Sequence, residues 1–390
     1  MSATGPTQQI PVVVLAGFLG SGKTTLLNHL LRAGRGTRIG AIVNDFGSIE
    51  IDAMTVAGQL GDSTLSLGNG CLCCAVDASE LDVYLEKLTR PAARLDVLVI
   101  EASGLAEPQE LVRMVLASEN PRVVYGGLVE VVDAAEYDAT RARHPEIDRH
   151  LAVADLVVLN KTDRVARAEL DRLRASLDGG APVVESVYGR VDPELFFDRR
   201  PSTERVGQLA FEDLLEEEET PEGEHGRACG PGCGHTAHLH TGYESVGFTS
   251  AVPMDPRRLM AFLDSRPEGL YRIKGFVDFG PADRLNRYGV HAVGRFLRFY
   301  PEPWPPGEER LTQLVLIGSG IDTGGLRTAL DAAVAERPRD TPDEAAMWGV
   351  LRYVRGDEAE DADPADAAPG AEEACAAETA EEDGGAPGEE

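Results

Sequence analysis

An α/β fold is what this sequence of 390 residues predicts: a mostly parallel sheet, then a smaller C-terminal α+β domain, then a disordered acidic tail. Three observations carry the prediction. Near the start, an apolar run over residues 11–16 leads into Gly17-Phe18-Leu19-Gly20-Ser21-Gly22-Lys23-Thr24 and then a helical pattern over residues 23–31. Apolar runs then alternate with helical patterns, the signature of parallel strands joined by crossover helices. At the far end, residues 356–390 hold 14 acidic side chains and no Lys or Arg, a composition that cannot build a core.

The Gly17 to Thr24 segment fits G-x-x-x-x-G-K-[ST], the phosphate-binding P-loop, and its strand–loop–helix setting is the one that chemistry needs. Glycines let backbone N–H groups wrap phosphates, and the helix N-terminus adds positive potential. Lys23 can reach the terminal phosphates, and the Thr24 hydroxyl can ligate magnesium. The first domain is therefore predicted to be a P-loop NTPase.

Further strands are expected over residues 38–43, 96–101, 123–133, 155–160 and 182–185, and helices over 80–89, 108–116 and 166–177. The first domain is placed at residues 1–202. Residues 203–240 turn acidic, then rich in Gly, His and Cys, and read as a linker. The second domain, residues 241–355, shows strands at 243–249, 270–279, 290–299 and 312–317, with helices at 255–265 and 325–335. Residues 356–390 are the tail.

Composition bounds the function. Hydrophobic content is 43%, enough for a sizeable core. The net charge of −29 disfavours nucleic acid and anionic membranes as partners. No apolar run is long enough to span a bilayer, and the first residues lack a basic and an apolar region, so a cytoplasmic location is expected. Five of the six cysteines fall in two clusters, with Cys375 alone in the tail, which is no disulfide framework and points to metal or redox chemistry.

Four further segments carry chemistry. Asn160-Lys161-Thr162-Asp163 closes an apolar strand, where open α/β sheets bind ligands. In N-K-x-D proteins the Asp carboxylate accepts both guanine N–H groups and the Lys stem packs on the ring, so GTP is the expected nucleotide. The strand before Glu101-Ala102-Ser103-Gly104 ends where a carboxylate can hold magnesium through water and the Gly104 amide can sense the γ-phosphate. Asn44-Asp45-Phe46-Gly47 sits where a switch would cover the nucleotide, and Asp45 can orient water, approach the metal or form an Asx-turn. Cys71-Leu72-Cys73-Cys74 offers three soft thiolates, most of a tetrahedral zinc shell with one position open. Inert buried cysteines or a redox pair are the alternatives there, although adjacent cysteines form only a strained bridge. A second cluster, His225, Cys229, Cys233, His235, His238 and His240, has the composition of a loose metal-acquisition tract or of a polar linker.

P-loop, C-x-C-C, E-x-S-G and N-K-x-D in this order resemble the CobW-type metallochaperone GTPases, relatives of the nickel-insertion GTPases. The resemblance covers most of residues 10–336, including Leu270-Tyr271-Arg272-Ile273-Lys274-Gly275 and Pro303-Trp304 in the second domain. It implies GTP hydrolysis that drives delivery of a metal, usually zinc, to a metal-requiring client protein. By that resemblance Gly20, Ser21, Gly22, Lys23, Thr24 and Thr25 bind phosphate and magnesium, Cys71, Cys73 and Cys74 bind zinc, and Asn160, Lys161 and Asp163 bind guanine. Lys23, with Asp45 or Glu101 positioning water, would serve catalysis. Many relatives have Asn-Glu-Phe-Gly-Glu where this chain has Asn44-Asp45-Phe46-Gly47-Ser48, so the acids there are reduced, with Glu50 a substitute. Cobalt or another divalent metal, a metal buffer or sensor with regulatory GTP, and a homodimer all remain open at this level.

Overall fold

The computed structural model describes residues 9–33, 37–43, 64–66, 78–91, 93–104, 107–177, 181–197, 243–335 and 344–354. Asp45, Cys71, Cys73, Cys74, the cluster from His225 to His240 and the acidic tail lie outside the described residues.

The first half runs β1 (Ile10–Ala16), α1 (Lys23–Ala33), β2 (Ile39–Val43), β3 (Thr64–Ser66), α2 (Ala78–Leu88), β4 (Val97–Glu101), α3 (Pro108–Ala117), β5 (Val123–Asp133), α4 (Tyr137–Arg143), α5 (Ile147–Val153), β6 (Leu156–Asn160), α6 (Arg167–Leu177) and β7 (Val183–Glu185). The strands form one seven-stranded sheet in the order β3-β2-β4-β1-β5-β6-β7. Every pairing in it is parallel. The continuous apolar strands follow from that: both faces are covered. Val13, Leu15, Val99, Val131 and Val158 pack with Leu26, Leu27 and Leu30 of α1. Val12, Val14, Leu98, Ile100 and Leu128 turn to the other face, against Leu81, Leu85, Leu111 and Val115 of α2 and α3. The chain leaves β1 toward one edge and β4 toward the other. A crevice therefore opens at the carboxyl ends of these central neighbours.

The second half is β8 (Glu244–Ser250), α7 (Pro256–Asp264), β9 (Leu270–Val277), β10 (Asn286–Val293), β11 (Phe296–Pro303), β12 (Thr312–Gly318), α8 (Thr323–Ala333) and the short α9 (Trp348–Leu351). Its five strands form an antiparallel sheet in the order β11-β10-β9-β12-β8. Asp255 caps α7 by accepting the Arg257 and Arg258 amides, with Pro256 in the first turn. Asp322 caps α8 in the same way, through Gly324 and Gly325. Leu259, Leu263, Leu326 and Leu330 of these helices cover Phe248, Ile273, Val290, Phe299 and Leu316.

Several elements differ from the sequence expectation. The strand expected over residues 290–299 is a hairpin: β10 ends at Val293, Gly294 turns at φ +51°, and β11 starts at Phe296. Helices α4 and α5 occupy a stretch with no expected element, and β3 and α9 add short pieces. No described helix is long and apolar enough to cross a membrane.

The two sheets share a core. Tyr271, Val293 and Ile317 pack with Val129, Leu156 and Val158. His291 Nε2 lies 2.8 Å from the Tyr125 carbonyl oxygen, which fixes it as the donor. Burial, with nearby Arg272, pushes that imidazole down to about 3, so it is neutral at physiological pH. Beside it, Asp155 accepts the Tyr125 hydroxyl and the Leu128 amide. A Cβ on Gly294 would stand 1.7 Å from Asp155 Oδ1. Gly294→Ala therefore meets both a strained φ and a half-buried carboxylate. We expect it to lower unfolding free energy by about 2–4 kcal/mol in urea titration. An unchanged midpoint would contradict the contact.

Candidate nucleotide-binding site

A cavity of about 620 Å³ opens at the carboxyl ends of β1, β2, β4 and β6. Its size suits a nucleotide-sized ligand. Gly20, Gly22, Lys23, Thr24 and Thr25 of the P-loop and α1 form one wall. Glu101, Ser103 and Gly104, following β4, form the second, and Asn160, Lys161, Asp163, Arg164 and Tyr188 the third. The sheet order accounts for this convergence: β4 pairs with β1 through Leu15 and Glu101, and β6 lies beyond β5.

Each wall is fixed by named bonds. The Asn160 side chain, 1% exposed, donates to the Ser21 carbonyl at 2.9 Å and accepts the Gly189 amide at 3.0 Å. Both ends of its amide are spent on backbone, so it braces the P-loop against β6 and the loop after β7. Its fit also explains Gly22, at φ +105°, where a Cβ would stand 2.3 Å from Asn160 Nδ2. Lys161 takes the left-handed conformation and donates to the Gly20 carbonyl and to Asp133 Oδ2, both at 2.6 Å. With the ammonium held there, the stem lines the pocket.

The reactive end holds a buried cation and two buried acids. Lys23, 7% exposed, donates to the carbonyls of Gly17 at 2.8 Å and Phe18 at 3.3 Å, lying over the loop whose phosphate it is built to meet. Thr24 donates its hydroxyl to Glu101 Oε1 at 2.6 Å. A hydroxyl and a buried carboxylate side by side at a strand end are hard oxygen donors of the kind magnesium takes. The residues present therefore fit that ion.

Sequence reading missed the second acid. Glu130 on β5 is fully buried opposite Ala16, the last residue of β1, and neither carboxylate oxygen has a hydrogen-bond partner among the described residues. Burial pushes it up to about 8, with Lys23 pulling the other way. An acid inside the apolar run Leu128-Val129-Glu130-Val131-Val132 was the available signal. Tyr188 was missed as well, and only its place before Gly189 hinted at a turn. Gly17 and Ser21 sit in the loop behind the cavity rather than on its lining. Among the described residues no group of three or more His, Cys, Asp or Glu could hold a metal ion.

Residues 11–185 match the model of the CobW/HypB/UreG nucleotide-binding domain, and residues 243–334 that of the cobalamin synthesis protein cobW C-terminal domain. A Sinorhizobium protein named zinc chaperone CobW is 31% identical over 366 residues, 84% of this chain and 98% of the relative. The chain belongs to the CobW/HypB/UreG family. Another zinc chaperone CobW, from Pseudomonas aeruginosa, is 31% identical over 362 residues, 84% of this chain and 92% of the relative. The zinc chaperone YjiA of Escherichia coli is 33% identical over 195 residues, 48% of this chain and 61% of that one. In this CobW-family chain the shared pattern includes both the nucleotide-binding and the C-terminal domain.

The raised Glu130 makes stability depend on pH. Its ordinary value is 4.5 and its folded value about 8, so between these the native state holds a proton that the unfolded chain releases. Stability from this group is full below about pH 4.5 and is lost as pH rises through 8. Glu130→Gln removes the effect. Its stability relative to wild type is expected to rise by roughly 2–4 kcal/mol between pH 5 and 8, read by denaturant unfolding. A difference independent of pH would contradict the buried acid.

Proposed function

We propose that this protein is a GTP-hydrolysing metallochaperone that carries zinc at Cys71, Cys73 and Cys74 and passes it to a metal-requiring client. The observation that supports it most is convergence: Lys23, the Thr24–Glu101 pair, and Lys161 with Asp163 face one pocket. The names of these three relatives, each a zinc chaperone, support zinc as the cargo.

The division of labour follows from the contacts. Lys23 neutralises phosphate charge in a buried, low-dielectric position, where such a charge acts most strongly. Thr24 and Glu101 would hold magnesium, which supplies further charge neutralisation when bound. Because Glu101 is committed to Thr24, the water-positioning role falls to Asp45 rather than to Glu101. Asp163 accepts guanine N–H groups and disfavours adenine, which would leave the carboxylate unmatched. The three thiolates bind zinc as soft donors and release protons in doing so, so zinc affinity rises with pH. Their position in the chain, between Asp45 and β4, gives nucleotide state a short covalent route to the cargo.

Steady-state turnover with magnesium and zinc tests the enzyme half. GTP hydrolysis is expected, ATP hydrolysis at least about 100-fold lower in kcat/KM, and Thr24→Ala or Glu101→Gln down about 100-fold in kcat. Native mass spectrometry tests the cargo half: a Cys71/Cys73/Cys74→Ser variant should lose zinc that wild type retains. Equal use of ATP, or zinc retained by the triple variant, would overturn the respective half.

A further inference from the structure

Among the described residues, three that are not glycine have positive φ: Arg94, Lys161 and Tyr188. Two of the three line the nucleotide pocket. Such backbone is sparsely populated and gathers at ligand sites, where the surroundings hold it in place. Tyr188, at φ +55°, is a large aromatic residue left 69% exposed.

Its turn is fixed on every side. The Ser186 amide donates to the Leu159 carbonyl at 2.8 Å, and the Thr162 amide to Ser186 oxygen at 3.2 Å, tying the turn to Asn160–Asp163. The Arg190 amide closes it on the Val187 carbonyl at 3.1 Å. Gly189 donates to Asn160 and presses on α1, where an added Cβ would stand 2.7 Å from Leu26 N. A rigid turn thus displays an aromatic ring at the wall that carries Lys161 and Asp163. The neighbouring part of that wall is also set, because the Lys161 ammonium is held by Gly20 and Asp133 and its stem is left along the pocket.

We propose that Tyr188 is a base-stacking residue: its ring and the Lys161 stem form a slot for a planar purine whose edge Asp163 reads. This rests on the guanine-nucleotide reading above and extends it to the residue that supplies affinity for the base. Stacking on an aromatic ring acts on the base alone, so it strengthens GTP and GDP equally and leaves phosphate binding untouched.

The test uses the full chain and three probes: GTP, GDP and inorganic tripolyphosphate, each titrated by calorimetry. Tyr188→Ala should weaken GTP and GDP by a common factor of roughly 5- to 100-fold, while tripolyphosphate binds as to wild type. Tyr188→Phe, which keeps the ring, should bind GTP within about twofold of wild type. The inference is overturned if Tyr188→Ala binds GTP as wild type does. It is also overturned if GTP and tripolyphosphate weaken together, which marks a folding role, or if Tyr188→Phe is as weak as Tyr188→Ala. A wild-type protein that binds tripolyphosphate but not GTP sinks the guanine reading itself, an outcome visible before any variant is made.

Discussion

One buried amide holds the nucleotide site together. Asn160 ends β6, reaches the Ser21 carbonyl of the P-loop on one side and receives the Gly189 amide on the other. A P-loop must leave its own N–H groups aimed at a ligand, so its shape has to be supported through its carbonyls. Four of these carbonyls are accounted for: Ser21 by Asn160, Gly17 and Phe18 by Lys23, and Gly20 by Lys161. The same amide sets how far the loop after β7 stands from the P-loop, and hence where Asp163 and Tyr188 lie across the cavity. A buried side chain serving two backbones is costly to lose, since both partners would be left unsatisfied.

Electrostatics complete the design. A buried ammonium at Lys23 prepares the floor for a polyanion, and two acids lie near it in different surroundings. Glu101 accepts from Thr24 and stands where a divalent cation is wanted. Glu130 has no such partner among the described residues and, pushed up to about 8, stays protonated at neutral pH. A second ionised carboxylate under the P-loop would oppose the phosphates. A protonated one does not, so burial itself keeps the floor positive.

Much of this was legible in the sequence because it is local. The P-loop, Glu101–Gly104 and Asn160–Asp163 each need fixed residue types at fixed spacing, and the apolar strands of a sheet buried on both faces stand out as runs. The unread parts depend on contacts distant in sequence. The break between β10 and β11 is only Gly294 and Arg295 inside one alternating pattern, and what demands glycine there is Asp155 across the domain contact. Helices α4 and α5 are seven residues each, too short for a periodic signal. The brace made by Asn160 was not legible in its motif, because a side chain's target is set by tertiary packing. Glu130 and Tyr188 carry no motif; burial singles out one and exposure the other.

The central claim is that nucleotide state governs the grip on zinc. The direct measurement is zinc affinity, by competition with a chromogenic chelator, for the full chain bound to a non-hydrolysable GTP analogue and bound to GDP. The account predicts a difference of at least about tenfold between the two states, the size of a modest coupling between sites. Identical affinities would contradict it, and would leave the nucleotide pocket and the cysteine motif as unconnected functions of one chain.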